Sequence, residues 1–282
     1  MISVVIPACN EENVIERCLG TILQDAAPGE LEVVVVCNGC SDETAERARG
    51  FGDRVRVIET EIASKIQALN LGDEAATGFP RFYVDADIKV TTQAIRDVAS
   101  LLGDDPSIMA AAPRAEVDYQ TRGALVRSFY QVWTSLPYFR EAMIGAGVFA
   151  LSRQGKERLG RFPDIIADDE YARLMFKPDE RQCCGHSTFV ITPPATLRGV
   201  LNIKTRARAG MYELRQKYPD LMRNQNTNAA RSLRTIATTP RLWIHSPVYL
   251  TVMTLAKVLA HRKLRRNEER YWNRDDTSRA TS

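Results

Sequence analysis

Two carboxylates two residues apart, Asp85 and Asp87, follow directly on the apolar run Phe82-Tyr83-Val84. At the end of an extended strand alternate side chains point to one side, so such a pair can hold one hard divalent cation through oxygen. A cation held this way keeps positions open for phosphate oxygens, and its charge offsets the negative charge that grows on a departing diphosphate. Alone, the pattern also describes a solvated loop after a strand. Its place at a fourth strand end, beside other polar strand ends, is what favours chemistry.

A second acidic pair, Asp168-Asp169, follows Phe162-Pro163-Asp164 and opens the helical run Glu170-Tyr171-Ala172-Arg173-Leu174. One reading is a helix cap, worth about 0.3–1 kcal/mol through the dipole. The other is a general base beside an acceptor hydroxyl, with the segment from Gly145 to Gly160 as the acceptor wall. No serine, cysteine or histidine constellation competes, since His186 follows Gly185 in a loop and His245 and His261 lie in the C-terminal tail. Neither G-x-G-x-x-G nor G-x-x-x-x-G-K-[ST] occurs, which argues against a nicotinamide dehydrogenase or a P-loop kinase. Cys37-Asn38-Gly39-Cys40 has C-x-x-C spacing, but no second pair and no nearby histidine completes a metal set. In the basic cluster Lys204 to Gly210, Arg206 and Arg208 either offer guanidinium forks to phosphate oxygens or form a solvated helix face.

These groups need elements to position them. Short β-branched runs alternate with helical patterns through the first half of the chain, the signature of parallel strands joined by crossover helices. Val4-Val5-Ile6, Leu31 to Cys37, Val55 to Ile58 and Phe82-Tyr83-Val84 read as strands. Asn10 is placed to cap a helix whose Val14, Ile15, Cys18, Leu19, Ile22 and Leu23 share a face; Ser41 is placed to cap a second, and Ser64 to Ala76 reads as a third. In such a sheet ligands bind at the carboxyl ends of the strands, where Asn10, Asn38 and Asp85 all fall. Further on come a helix from Thr92 to Leu102, a strand near Ile108 to Ala112, a helix from Gly123 to Trp133 and a strand around Val148 to Leu151.

The chain has 282 residues, 44% of them apolar, enough for an ordinary core. Its net charge of +3 divides into −9 over residues 1–197 and +12 over 198–282, so a basic surface is expected at the C-terminal end. The opening apolar run stops at Pro7 with neither a basic flank nor a cleavage site, and the six cysteines are read as thiols of a cytoplasmic protein. Residues 247–260 are too short to span a bilayer, which needs about 20 apolar residues. Over 247–266, Lys257, Arg262, Lys263, Arg265 and Arg266 beside Val248, Leu250, Val252, Leu255 and Leu259 suit either a helix on an anionic membrane face or one packed on the domain.

With these residues in view, the chain resembles the family 2 glycosyltransferases, an inverting group with the GT-A fold, over roughly residues 2–210. Val4-Val5-Ile6-Pro7-Ala8-Cys9-Asn10-Glu11 looks like the family's first strand and nucleotide-edge loop, which implies donor contacts from Pro7, Ala8, Asn10 and Glu11. Val36 to Asp42 looks like its second, where an acidic residue commonly receives the base; Asn38 stands there, with an amide oxygen able to accept an N–H from uracil. Lys65 to Gly72, carrying Lys65 and Asn70, resembles the helix near the diphosphate, and Asp85-Ala86-Asp87 resembles the metal motif, with Asp87 the direct ligand and Asp85 beside it. Asp168-Asp169 occupies the place of the catalytic base, Asp169 first and Asp168 in reserve. Arg206 and Arg208 are similar to the variable arginine motif on a loop that folds over the donor, although Q-x-x-R-W is missing, which sets processive polymer synthesis aside.

The resemblance implies a Rossmann-like, mainly parallel sheet flanked by helices, with a nucleotide-sugar half at 1–112, an acceptor and catalytic half at 113–210 and a helical basic extension at 211–282. It also implies a UDP-sugar donor, a manganese or magnesium ion, and a carbohydrate, lipid-linked or small-molecule acceptor in envelope or polysaccharide synthesis, with no nucleic acid. A non-catalytic nucleotide-sugar-binding module at a membrane surface and a sugar-phosphate nucleotidylyltransferase are the competing readings; the latter's glycine-rich, arginine-bearing opening loop is absent.

Overall fold

A computed structural model of the chain describes residues 1–141, 146–225 and 229–265. Gly145, Arg266 and the polar tail from Asn267 lie outside the described residues. The order of elements is β1 (Ile2–Ala8), α1 (Ile15–Leu23), β2 (Leu31–Asn38), α2 (Thr44–Arg49), β3 (Val55–Thr60), α3 (Lys65–Ala75), β4 (Arg81–Val84), β5 (Lys89–Val90) and α4 (Thr92–Asp104). It continues with β6 (Ala110–Val117), α5 (Ala124–Trp133), α6 (Pro137–Glu141), β7 (Val148–Leu151), α7 (Arg153–Leu159), α8 (Asp168–Leu174) and β8 (Arg181–Ile191). Three longer helices close the described part: α9 (Leu197–Lys217), α10 (Ala229–Thr238) and α11 (Ser246–Arg265).

Among the described residues, eight strands form one sheet in the order β3-β2-β1-β4-β7-β6-β8-β5. The first four are parallel; β7 runs against both β4 and β6, β6 and β8 are parallel, and β5 runs against β8. The sheet is therefore mixed and mainly parallel, with helices on both faces. The apolar runs of β1 and β2 explain why. Val4, Ile6, Val33 and Val35 enter one core while Val5, Val34 and Val36 enter the other, so both faces of the central strands are covered. A third cluster, including Phe129, Tyr130, Val200, Leu242, Tyr249 and Val252, joins α5, α9 and α11 into a helical layer.

α3 lies close against β1 and β2 because Gly72 has no side chain: a Cβ there would stand 2.4 Å from Val5 Cγ1. Behind the sheet, Asp73 binds Arg81 at 2.6 Å and Lys156 at 2.7 Å, fixing the end of α3 to β4 and α7.

Several sequence expectations change. Asn10 does not cap α1, whose N-cap is Val14; it adopts φ 52° in the left-handed region, and its Oδ1 accepts from Ser41 N at 2.7 Å. Ser41 does not cap α2, whose first N–H groups lie nearer Asp42, with Thr44 N donating to Asp42 Oδ1 at 3.1 Å. Ser64 is the N-cap of α3, as its position suggests, accepting from Gln67 N. β8, the two-residue β5 and the helices α6 and α7 were not anticipated, whereas α10 and α11 fall in the helical extension expected over 211–282. The division at 112 falls inside β6 and that at 210 inside α9, both continuous elements. The basic cluster around Arg206 and Arg208 lies in the middle of α9, not on a loop. Of the apolar residues on α11, Val252 is buried and packs with Val248 on the domain, whereas Leu250 and Leu255 face outward.

Candidate active site

β4 stops at Val84, and Asp85 to Ile88 form a turn closed by Ile88 N donating to Asp85 O at 3.1 Å. Asp85 and Asp87 are thus positioned by a turn, so the strand-alternation argument does not apply. Asp85 N donates to Gly147 O at 2.8 Å, and Gly147, at φ 95°, leaves room: a Cβ there would lie 3.2 Å from Asp85 Oδ2. Arg17 of α1 donates to Asp87 O at 3.4 Å. Ala86 between them is buried in the core.

Lys65 opens α3, where the helix dipole disfavours a cation. Two carboxylates offset that cost: Lys65 Nζ lies 2.7 Å from Asp85 Oδ1 and 3.0 Å from Asp168 Oδ2. Burial works against the ammonium, yet Asp168, Asp85 and Asp169 together hold its pKa well above the ordinary lysine value. One side chain therefore ties the end of β4 to the start of α8.

Asp168 is buried and ion-paired, while Asp169 is half-buried and its Oδ1 accepts from Glu170 N at 2.7 Å. The capping reading is correct in part, since this bond satisfies one of the free N–H groups at the start of α8. Burial first, and the Asp168 charge second, push the Asp169 carboxyl up to about 7, a range in which a carboxylate is an effective base near neutrality.

Two neighbours brace this pair from behind, and neither was foreseen. Glu213 of α9 accepts from Ile166 N at 2.8 Å, just ahead of Asp168. Gly210 lets α9 approach, because a Cβ there would meet Ala167 Cβ at 2.7 Å. Glu213 sits four residues before Lys217, with a bond of 2.8 Å between them, the spacing of an ordinary helical ion pair. Only the fold reveals its second contact.

Other expected donor residues lie differently. Asn38 is 2% exposed, and its amide, in the orientation that satisfies both its ends, joins two elements: Nδ2 donates to Ala8 O at 2.9 Å and Oδ1 accepts from Ser64 N at 3.3 Å. It sits under the mouth of the sheet, with its oxygen already engaged. Asn70 is buried as well, clamping Phe162 by Nδ2 to the carbonyl at 3.0 Å and Oδ1 from the N–H at 2.9 Å. Pro7 and Ala8 are buried at the end of β1. Glu11 is buried with its N–H on Thr44 Oγ1 at 2.7 Å, and only Asn10 of this group is exposed. Glu12 N binds Asp42 Oδ2 at 3.2 Å, so the loops after β1 and β2 are laced into one rim.

Arg206 is exposed and Arg208 partly covered. Residues two apart on a helix point about 200° from each other, so the two guanidinium groups do not share a face. The charge of Arg208 acts on Tyr138 and Tyr249, on the side of the helical layer.

Asp85 and Asp87 offer only carboxylate oxygens, the hard donor type that manganese and magnesium take, and Asp85 already balances a positive charge. Among the described residues no group of three or more His, Cys, Asp or Glu side chains is arranged to hold a metal. A cation here fits if phosphate oxygens and water complete its shell, as is common for magnesium.

The sequence matches the model of the family described as "Glycosyl transferase family 2" over residues 3–164. Glycosyltransferase AglE of Haloferax volcanii is 34% identical over 108 residues, 36% of either chain. Validoxylamine A glucosyltransferase of Streptomyces hygroscopicus subsp. limoneus is 29% identical over 103 residues, 35% of this chain and 23% of that protein. The chain thus aligns with well under half the length of these curated relatives. Among solved structures, the mannosyltransferase PcManGT from Pyrobaculum calidifontis, in complex with GDP-Man and Mn2+, is similar at a TM-score of 0.68 and 21% identity, over 95% of this chain and 88% of that one. Glucosyl-3-phosphoglycerate synthase from Mycobacterium tuberculosis, in complex with Mn2+, UDP-Glc and phosphoglyceric acid, is similar at 0.54 and 20%, over 77% and 79%. At these identities the likeness is one of fold, and the fold is GT-A.

Proposed function

Because the chain belongs to glycosyltransferase family 2, we propose that it transfers a sugar from a nucleoside diphosphate donor to an acceptor hydroxyl by a single inverting displacement. The observation that carries this reading is the Lys65 bridge, which brings the Asp85 turn and the Asp168-Asp169 pair to one place at the carboxyl ends of the parallel strands.

Asp169 is the base. Its raised pKa suits removal of a hydroxyl proton as the acceptor oxygen attacks the anomeric carbon. Asp168 does not perform this step; it holds Lys65, and Lys65 keeps positive charge beside the turn that receives the diphosphate. Gly147 and Arg17 fix the backbone of that turn from two sides. Glu213 fixes the approach to Asp168. A divalent cation, manganese or magnesium, held by Asp87 and Asp85, would supply charge that stabilises the leaving diphosphate.

The donor class is a nucleotide diphosphate sugar, with a uridine nucleotide the first to test. With the Asn38 amide engaged, base recognition in this reading falls to the laced rim of the loops after β1 and β2. The acceptor is a carbohydrate, a lipid-linked sugar or a small hydroxylated molecule. The test is release of nucleoside diphosphate from uridine, guanosine and thymidine diphosphate sugars, with and without an acceptor panel and with and without chelator. Acceptor-dependent release that chelator abolishes is the expected result. Absence of release from every donor, in the presence of manganese and of magnesium, overturns the reading.

A further inference from the structure

The outward face of α11 and the turn before it expose large apolar side chains, interspersed on the helix with Thr251 and Thr254, and nothing in the described fold covers them. Trp243 is 58% exposed, Ile244 79%, Leu250 44%, Leu255 46% and Val258 42%. Scattered exposed apolar side chains are ordinary, but Leu250, Leu255 and Val258 lie on one side of a single helix. The opposite side of α11, through Val252, Ala256 and Ala260, is buried. The helix therefore packs one face on the domain and carries further apolar side chains, among threonines, on a face the described fold leaves open.

A groove of about 370 Å³ opens along the same face. Pro247, Thr251 and Leu255 of α11 form one wall, and Leu197, Arg198 and Leu201 of α9 the other. Its lining is apolar except for Thr251 and for Arg198 at the start of α9.

Charge identifies the occupant. On α11 itself Lys257, Arg262 and Lys263 are exposed, and the helix carries no aspartate or glutamate. Exposed apolar side chains on a helix that carries cations and no acidic residue match the boundary of a bilayer with anionic headgroups, where the apolar side chains enter the acyl region and the long basic side chains reach back to phosphate. Among the described residues no helix is long and apolar enough to cross a membrane, so the contact is with its surface.

We propose that the outward face of α11, with Trp243 and Ile244, docks the protein on an anionic phospholipid bilayer and that the α9–α11 groove receives a lipid chain. The same α9 abuts Ala167 through Gly210. Gly210 lies about 15 Å along the helix from the groove, at 1.5 Å per residue. Docking therefore holds the base pair close to the lipid surface. This goes beyond the transfer reaction and does not depend on it.

Co-sedimentation of the full chain with vesicles tests the proposal. Vesicles of phosphatidylglycerol in phosphatidylcholine should bind it, pure phosphatidylcholine vesicles at least tenfold less, and binding should fall as salt rises. Trp243 fluorescence should shift to the blue on binding. The double variant Leu250→Asp, Val258→Asp changes exposed positions only; with an unaltered thermal transition it should lose at least tenfold in vesicle affinity, and Lys257→Ala, Arg262→Ala should lose several-fold. Equal binding by wild type and the Leu250, Val258 variant overturns the proposal. So does no binding to anionic vesicles at low salt, or concentration-dependent dimerisation that the same variant abolishes. Nucleoside diphosphate release with a soluble acceptor, measured without vesicles, reports on the transfer reading separately.

Discussion

Asp85 and Asp168 share one ammonium group: Lys65 Nζ lies 2.7 Å from Asp85 Oδ1 and 3.0 Å from Asp168 Oδ2. The first carboxylate belongs to the turn after β4 and the second to the start of α8, so this contact makes one site out of two distant stretches of chain. Asp85 and Asp87 lie on the first stretch, Asp168 and Asp169 on the second.

Lys65→Met should therefore damage stability and turnover together. The Asp168 side chain is only 7% exposed, and removing one partner of a buried pair costs about 3–5 kcal/mol, less whatever Asp168 recovers by taking up a proton. Thermal unfolding and kcat/KM check this. The expectation is a lower Tm and a loss of at least about 100-fold in kcat/KM, the scale seen when a preorganised charge is removed from a site. A Lys65→Met enzyme of wild-type activity would leave the bridge without a function.

Asp169→Asn and Asp168→Asn should separate. Loss of a general base lowers the rate by about 10²–10⁴-fold, so Asp169→Asn should bind donor normally and lose turnover on that scale. Asp168→Asn should also weaken donor binding, because Lys65 then loses a partner. The pH profile gives a second check. Asp169 titrates at about 7 in the folded chain against 3.8 as its ordinary value, so its active, ionised form fills only above about 7 and kcat should fall on the acid side of that point. Between those two values the folded chain keeps a proton that the unfolded chain has lost. The Asp169 contribution to stability is thus present at low pH and disappears as pH rises to about 7. Asp169→Asn should remove both effects.

Gly210→Ala should act at a distance. The new methyl would stand 2.7 Å from Ala167 Cβ, and overpacking of this kind costs about 1–3 kcal/mol. It also pushes on the residue before Asp168, so kcat should fall more than donor affinity. Combining it with Ala167→Gly should restore Tm and kcat together. Failure of the pair to recover activity would separate α9 packing from the base.

Asn38→Ala distinguishes a positioning amide from a base-reading one. It removes two bonds whose backbone ends keep other partners, Ala8 O with Cys40 Sγ at 3.4 Å and Ser64 N with Ile62 O at 2.8 Å, so the cost is that of the bonds themselves, about 1 kcal/mol each. Tm should drop, while the ratio of kcat/KM between uridine and guanosine diphosphate sugars should stay within about twofold. A large change in that ratio would return Asn38 to the base.

Much of this architecture is visible in the sequence, and the failures have physical causes. Val33 to Val36 is apolar at every position, as only a strand covered on both faces requires, and it forms the centre of β2. Ser64 caps α3 because a cap is a local interaction. β8 escaped notice because Gly185, His186 and Ser187 interrupt its apolar alternation, and its register against β6 shifts between Pro113 and Arg114. The acidic pair of the site is legible from position, but its brace is not: Glu213 reaches Ile166 across 47 residues, and no spacing rule encodes that contact. Asn38 and Asn70 have the right residue type for ligand contacts, yet each amide is taken up by backbone that the fold brings to it. Of the two readings of Arg206 and Arg208, the helix face is the one that agrees with α9, on which the two side chains point apart.

Titration of uridine and guanosine diphosphate into wild type and into Asp85→Asn, Asp87→Asn, with and without manganese, tests the assigned site most directly. Wild type should bind a nucleoside diphosphate at least tenfold more tightly with the cation present, and the double variant should lose that enhancement while keeping its fold. Equal affinity of the two proteins for nucleotide in the presence of manganese would contradict the placement of the donor at the Asp85 turn.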